Sequence, residues 1–290
     1  MKLLVTGGKG QLGQSFKEII RQRNVEPEFI DIEELDLTEK TAVEAYFQNQ
    51  KIDILINCAA YTAVDRAESE PEKAEAINVT AVENLAEAAK NHNFKIIHIS
   101  TDYVFDGEKK EGYVETDIPN PQSVYGKTKL KGEKTLSEKL PDAIIIRTAW
   151  LYSNYRRNFY LTMRSKALKG DRVSIVGDQT GSPTNAEDLA SAIMEIILSG
   201  IWEAGTYHYS NGGKTTWYEF TREIYRMSGA DPDLVSMISS SEYNSAARRP
   251  ANSLLDKTKI IDTFGIEIPE WAESLRKTIE KRGQTPEIEK

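Results

Sequence analysis

The sequence is short of cysteine, of long apolar runs and of clustered positive charge. Of its 290 residues only Cys58 is a cysteine, which excludes an intrachain disulfide framework and a metal cage built on thiolates. No stretch approaches the roughly 18 consecutive apolar residues that a bilayer span needs. The opening MKLLVTGGKG carries only a short apolar run before its glycines, so no secretory leader or membrane partner is expected and a reducing, cytoplasmic setting is. Lys and Arg number 37 against 45 Asp and Glu, a formal net charge of −8. The broad basic face of a nucleic-acid binder is therefore missing. The pairs Lys109–Lys110 and Arg156–Arg157 stand alone and read as solvated surface. None of His92, His98 and His208 has a second His or Cys at ligand spacing, so no metal site is expected. Cys58 reads as a small core residue. What is present is ample: 39% hydrophobic residues supply a full core, and disorder is excluded.

The first half alternates β-rich runs with helical stretches. Strands are expected at Lys2–Thr6, Glu28–Ile32, Asp53–Asn57, Lys95–Ser100 and Ala143–Thr148, and helices at Gln11–Arg23, Ala42–Gln50, Pro71–Asn91 and Tyr125–Leu140. Continuous apolar strands separated by helices imply an α/β fold, a doubly wound parallel sheet of Rossmann type covered on both faces. Ligands then bind at the carboxyl ends of its strands. Past Trp150 the pattern loosens into short pieces rich in Gly, Ser, Asn and Pro, with helices at Phe159–Lys169, Glu187–Leu198 and Thr216–Ser228 and a strand at GTYHYS. The expected organisation is a dinucleotide-binding domain over 1–150, rejoined by the helix within 185–200. A smaller α/β substrate-binding lobe takes most of 151–282, and 283–290 is a frayed tail.

Gly7-Gly8-Lys9-Gly10-Gln11-Leu12-Gly13 lies between the first strand and first helix. Glycines at this spacing provide a tight turn, a backbone without Cβ against a pyrophosphate, and close helix–sheet packing, with the phosphate charge on free N–H groups. Asp31, at the end of strand two, is placed to accept hydrogen bonds from an adenosine ribose and to repel a 2′-phosphate, while Lys9 could meet such a phosphate, so NADPH and NADH both stay open. Tyr125 and Lys129 share a helix face at i, i+4. Chance alone yields such a pair in a chain with 13 tyrosines; its information lies in its position, opening the helix that follows Ser100-Thr101-Asp102. A phenol is a poor acid–base catalyst near neutral pH, and an ammonium one turn away stabilises its phenolate. Thr101 is placed to bond the reacting oxygen.

These features resemble the extended short-chain dehydrogenase/reductase superfamily. More narrowly, GGKGQLG, NCAAYTAVDRAE (57–68), STDYVFDG (100–107), YGKTKLKGE (125–133), RTAWLY (147–152), GSPT (181–184) and RRPANSLLD (248–256) resemble the family of dTDP-4-dehydrorhamnose reductases. Thr101-Asp102-Tyr103 lacks the Glu with which related sugar-nucleotide dehydratases eliminate water. The resemblance implies reduction of the C4 ketone of a dTDP-sugar by NADPH or NADH, with Tyr125 as proton donor, Lys129 as its electrostatic partner and Thr101 as catalytic aid. It implies cofactor contacts from Gly7, Gly10, Gln11, Leu12, Gly13, Asp31, Asp36, Leu37, Ala59, Ala60, Tyr61, Ser100, Tyr125 and Lys129. Substrate contacts are implied for Val64, Thr101, Asp102, Tyr103, Trp150, Arg249 and Asn252, with Arg248 beside them. Family resemblance alone raises Mg2+ and a homodimer. Two alternatives remain at this point: a reductase or epimerase of another nucleotide sugar, and a regulatory subunit of a synthetase that keeps the fold without turnover.

Overall fold

The computed structural model describes residues 1–21, 25 and 27–283. The first half runs β1 (Leu3–Thr6), α1 (Gln11–Ile20), β2 (Glu28–Ile30), α2 (Lys40–Gln48), β3 (Ile54–Asn57), α3 (Val64–Ala67), α4 (Pro71–Glu75), a π turn at Ala76–Thr80, α5 (Ala81–His92), β4 (Lys95–Thr101), α6 (Val124–Lys139) and β5 (Ile144–Thr148). The second half runs β6 (Leu151–Tyr152), α7 (Phe159–Lys169), β7 (Val173–Val176), β8 (Thr180–Gly181), β9 (Thr184–Asn185), α8 (Ala186–Ser199), β10 (Gly205–Tyr209), β11 (Thr215–Thr216), α9 (Trp217–Met227), β12 (Val235–Ile238), α10 (Thr258–Phe264) and α11 (Trp271–Gly283).

Six strands form one parallel sheet in the order β10-β5-β4-β3-β1-β2. The chain leaves β1 for β2 on one side and returns to β3 on the other, so the crevice of this doubly wound sheet opens between β1 and β3 at their carboxyl ends. Alternate residues feed the two faces. Leu3, Val5, Ile54, Ile56, Ile144 and Ile146 pack with Phe16, Leu189 and Ile193 of α1 and α8. Leu4, Leu55 and Ile145 pack with Phe47, Leu85 and Leu136 of α2, α5 and α6. Past Trp150 the chain returns to the sheet as α8, as the edge strand β10 and as α10, whose Ile260 joins the same core. Elsewhere in this half an aromatic-rich unit forms, in which Tyr152, Tyr160, Phe220 and Leu275 of β6, α7, α9 and α11 pack together. Thr216 and Glu219 close a capping box at the start of α9, satisfying first-turn N–H groups.

Most element ends fall within two residues of the sequence reading, and three differences bear on the site or on the extent of the description. Strand β2 stops at Ile30 because Asp31 turns its carboxylate onto backbone N–H groups. The stretch expected as one helix over Pro71–Asn91 is broken by the π turn at Ala76–Thr80, where the Asn78 side chain is drawn into bonds with Tyr61 and Thr128; such a widening re-aims side chains near functional sites. The helix expected to reach Arg23 is described to Ile20, and its last expected residues, like the tail from 284 onward, lie outside the described residues. No described helix is long and apolar enough to cross a membrane. Among the described residues no group of three or more His, Cys, Asp or Glu is placed to hold a metal ion.

Candidate functional site

The glycine turn closes the crevice floor. Gly7 has φ +63°, and a Cβ there would lie 2.9 Å from the Ala59 nitrogen, so β1 and β3 end against each other only because this residue is glycine. A Cβ on Gly13 would stand 2.4 Å from the Gly7 oxygen, which binds α1 tightly to the turn. Gly10 caps α1 without a side-chain bond, and the first turn holds no acidic residue. Its free N–H groups therefore face the crevice as a ready cradle for a dinucleotide pyrophosphate, and the missing Cβ atoms leave room for it. Leu12 contributes only backbone there, since its side chain is buried in the core. The Gln11 Oε1 accepts from Ser153 at 3.2 Å.

Asp31 lies just past the end of β2, its oxygens accepting from the backbone N–H groups of Lys9 at 2.8 Å and Ile32 at 2.9 Å. It ties the end of β2 to the glycine turn. Lys9 pairs with Glu33 at 2.9 Å. Asp36 bonds the Thr38 backbone and hydroxyl, and Asn84 holds the Leu37 carbonyl at 2.9 Å, fixing that turn beside the crevice. Ala59, Ala60 and Tyr61 leave the end of β3. The Tyr61 N–H donates to Asn78 at 2.9 Å and its hydroxyl to Glu70 at 2.7 Å. Cys58 is partly buried against the core, and burial pushes its thiol up; it is not a nucleophile.

Tyr125 and Lys129 are set by two close approaches of α6. Ser123 caps the helix by accepting from the Gly126 N–H at 3.1 Å. A Cβ on Gly126 would lie 2.2 Å from the Tyr103 oxygen, and one on Gly132 would lie 2.1 Å from the Asn78 oxygen. The first glycine presses the Tyr125 turn onto Asp102–Val104; the second presses α6 onto the π turn. Tyr125 consequently lies beside Thr101, at the end of β4. Burial holds the phenol well above its ordinary value, with the neighbouring Thr101 hydroxyl opposing. Lys129 is 2% exposed and is pushed down to about 8 by burial, with the Glu133 charge opposing. Its Nζ points to the Ile99 carbonyl at 2.7 Å and to His98 at 3.3 Å. Ser100 turns from the crevice and donates to buried Glu133.

Around Tyr125 runs an aromatic and polar rim. Val64 packs with Tyr61, Tyr103 and Tyr125, and the Tyr103 and Tyr125 rings meet edge-on at 5.5 Å. Asp102 is 3% exposed and is pushed up to about 6 by burial; Oδ1 accepts from Thr101 at 3.0 Å, while Oδ2 has no partner. Trp150 has φ +49°, a strained conformation for a bulky side chain, and stacks on Trp217 at 3.8 Å. Arg249 reaches Tyr103 at 3.2 Å and Asp65 at 2.7 Å, so a guanidinium of the second unit stands at this rim. Exposed Arg248 bonds Gln122 and Glu108. Asn252 is used differently: its amide donates to the Lys109 and Glu111 carbonyls and accepts from Leu254, which fastens a loop. Sequence reasoning missed Asn78, Glu133 and Arg147. The one signal for Glu133 was its place a further turn beyond Lys129.

The fold and this arrangement define a Rossmann-type protein of the extended short-chain dehydrogenase/reductase class. Residues 1–283 match the family described as the RmlD substrate binding domain, and the chain belongs to that family. It is 41% identical over 285 residues to the dTDP-4-dehydrorhamnose reductase of Aggregatibacter actinomycetemcomitans, covering 95% of this chain and 97% of that protein. The crystal structure of a dTDP-4-dehydrorhamnose reductase from Clostridium acetobutylicum superposes with a TM-score of 0.93 at 40% identity, covering 98% of this chain and 100% of that one. That of Bacillus anthracis, in complex with NADP, gives 0.91 at 35% identity, covering 97% and 99%.

Proposed function

We propose that this protein reduces the C4 ketone of dTDP-4-dehydro-L-rhamnose to dTDP-L-rhamnose, using NADPH or NADH. The observation that carries the reading is the buried Tyr125, beside Thr101 at the carboxyl end of β4, the same end of the parallel sheet as the glycine turn. The relatives of high identity named above support it, and one of them was solved with NADP.

A bound nicotinamide dinucleotide supplies the hydride. The glycine turn and the α1 N-terminus would hold its pyrophosphate, Asp31 its adenosine ribose, and Lys129 the ribose near the reacting ring. Tyr125 is buried and held neutral, so it has a proton to donate to the carbonyl oxygen as charge develops there. Thr101 orients that oxygen, and a Lys129 ammonium stabilises the phenolate that remains. Val64, Asp102, Tyr103 and Trp150 shape the sugar pocket, while Arg249 suits the substrate pyrophosphate by its fork of donors. For Arg249 to bind it, its bond to Asp65 must be exchanged. Asn252 would act by holding the loop over 109–111. The substrate lobe is the unit of α7, α9 and α11 with its short strand pairs.

The test is a panel of nucleotide 4-ketosugars with both reduced cofactors, followed by loss of nicotinamide absorbance. Turnover of the dTDP-4-dehydrorhamnose substrate above all other sugars supports the reading. Preference for another nucleotide sugar, or no turnover with any, overturns it.

A further inference from the structure

Lys129 has a neighbour that the reaction above does not use. Its Nζ stands 3.3 Å from Nε2 of His98 and donates to the Ile99 carbonyl at 2.7 Å; His98 is wholly buried on β4. A neutral imidazole carries one ring proton, so one nitrogen donates and the other accepts. The far nitrogen, Nδ1, lies 3.0 Å from the amide nitrogen of Asn57. That amide is fixed from its other end, because its oxygen accepts from the Thr6 hydroxyl at 2.7 Å and from the Ala59 N–H at 3.2 Å. Turning it over would set two donors against each other and deprive the Thr6 hydroxyl of this acceptor. Asn57 therefore donates to Nδ1, and the His98 proton sits on Nε2, aimed at Lys129.

An ammonium has three donors and no lone pair, whereas an amine offers one to Nε2–H. The surroundings act in the same direction. Burial, and then the Lys129 charge, keep His98 well below the usual imidazole range. From the end of β3, Cys58 faces the lysine, and on its own helix Tyr125 and Glu133 lie one turn to either side. The Glu133 carboxylate is already bound by Arg147 and Ser100.

We propose that His98 is a positioning residue: through Nε2–H it parks Lys129 as a neutral amine in the cofactor-free protein in mildly alkaline solution. The negative charge and ribose hydroxyls of an entering dinucleotide then draw a proton from solvent onto the lysine and free it from the imidazole. The proposal rests on reading Lys129 as part of a dinucleotide site.

Nitrogen NMR of 15N-histidine-labelled protein without cofactor, at pH 9, tests the parking contact directly. His98 is expected to carry its proton on Nε2. His208, whose Nδ1 faces the Tyr113 carbonyl at 3.0 Å, shows the opposite tautomer in the same sample, and His208→Gln and His92→Gln assign the signals. A proton on the His98 Nδ1, or an imidazolium, overturns the proposal. Calorimetry of NADPH binding in buffers of differing ionisation heat tests the release. Near pH 9 the wild-type protein is expected to take up close to one proton per site, and its affinity to weaken about tenfold per pH unit beyond the lysine's titration. His98→Gln can turn a carbonyl toward an ammonium, so uptake there is expected to fall several-fold. Equal uptake in both proteins overturns the release step. NADPH failing to bind overturns the site reading and the release with it, while the tautomer still decides the parking contact.

Discussion

Glu133 and Lys129 lie one turn apart on α6, 4% and 2% exposed, and the protein treats the two buried charges in opposite ways. Glu133 meets Arg147 through bonds of 2.7 to 3.2 Å, and Ser100 adds another. Lys129 meets a carbonyl and an imidazole, neither of which carries a compensating charge. The first region is electrostatically closed and holds the sheet to its helix. The second leaves the lysine without an opposite charge at the crevice, where a ligand can supply one. A buried charge without a partner costs stability, and such costs concentrate where chemistry is done.

The sharpest test of the open region is its acid. Tyr125→Phe is expected to lower kcat by roughly 10²–10⁴-fold, the usual reach of a general acid, with dinucleotide affinity nearly unchanged. Stopped-flow reduction and fluorescence titration of NADPH measure the two separately. Unchanged turnover would remove Tyr125 from the mechanism.

The closed region is tested by removing one partner. Glu133→Gln strands Arg147, whose Nη1 already lacks a partner, and is expected to destabilise the fold by roughly 3–5 kcal/mol in urea unfolding. A double change to well-packed apolar residues is expected to cost much less. If the single and double variants are equally destabilised, the pair is not the closed unit described.

Lys129→Met should behave in the contrary way, losing activity while gaining stability at neutral pH. The lysine falls from its ordinary 10.5 to about 8 in the folded protein, so the native state binds protons less readily than the unfolded chain. Stability from this group is therefore deficient below pH 8 and recovers as pH rises toward 10.5. The gain in Lys129→Met is about 3 kcal/mol at pH 7 and shrinks toward pH 10. A pH-independent difference would contradict it.

Asp102 extends the comparison at smaller size. Its carboxyl is raised from 3.8 to about 6, so the native state binds the proton more readily than the unfolded chain. Its contribution is full below pH 3.8 and is lost as pH rises through 6. Asp102→Asn is expected to be more stable than wild type at pH 8 by roughly 2–3 kcal/mol, with the gap closing near pH 4. Thermal unfolding at the two pH values measures it.

Much of this was legible along the chain because it is local. Continuous apolar runs in KLLVT, DILIN and AIIIRT mark strands buried on two faces, and the glycines at 7 and 13 mark a turn with no room for a Cβ. Tyr125 and Lys129 share a face by helical geometry alone. Other features depend on contacts across the chain. Asn78 looked like one polar residue in an alanine-rich helix until the π turn aimed it at Tyr61 and Thr128. Asn252 matched a substrate motif, yet its amide is taken up by carbonyls over 140 residues away.

The sequence by itself determined the α/β class, the crevice at the strand ends and the shared face of Tyr125 and Lys129, because propensity, glycine geometry and i, i+4 spacing act over a few residues. Only the tertiary structure decided which charges are compensated. Charge state depends on burial and on partners brought from distant segments: Arg147 to Glu133, His98 to Lys129, Arg249 to Asp65. No local pattern encodes those distances.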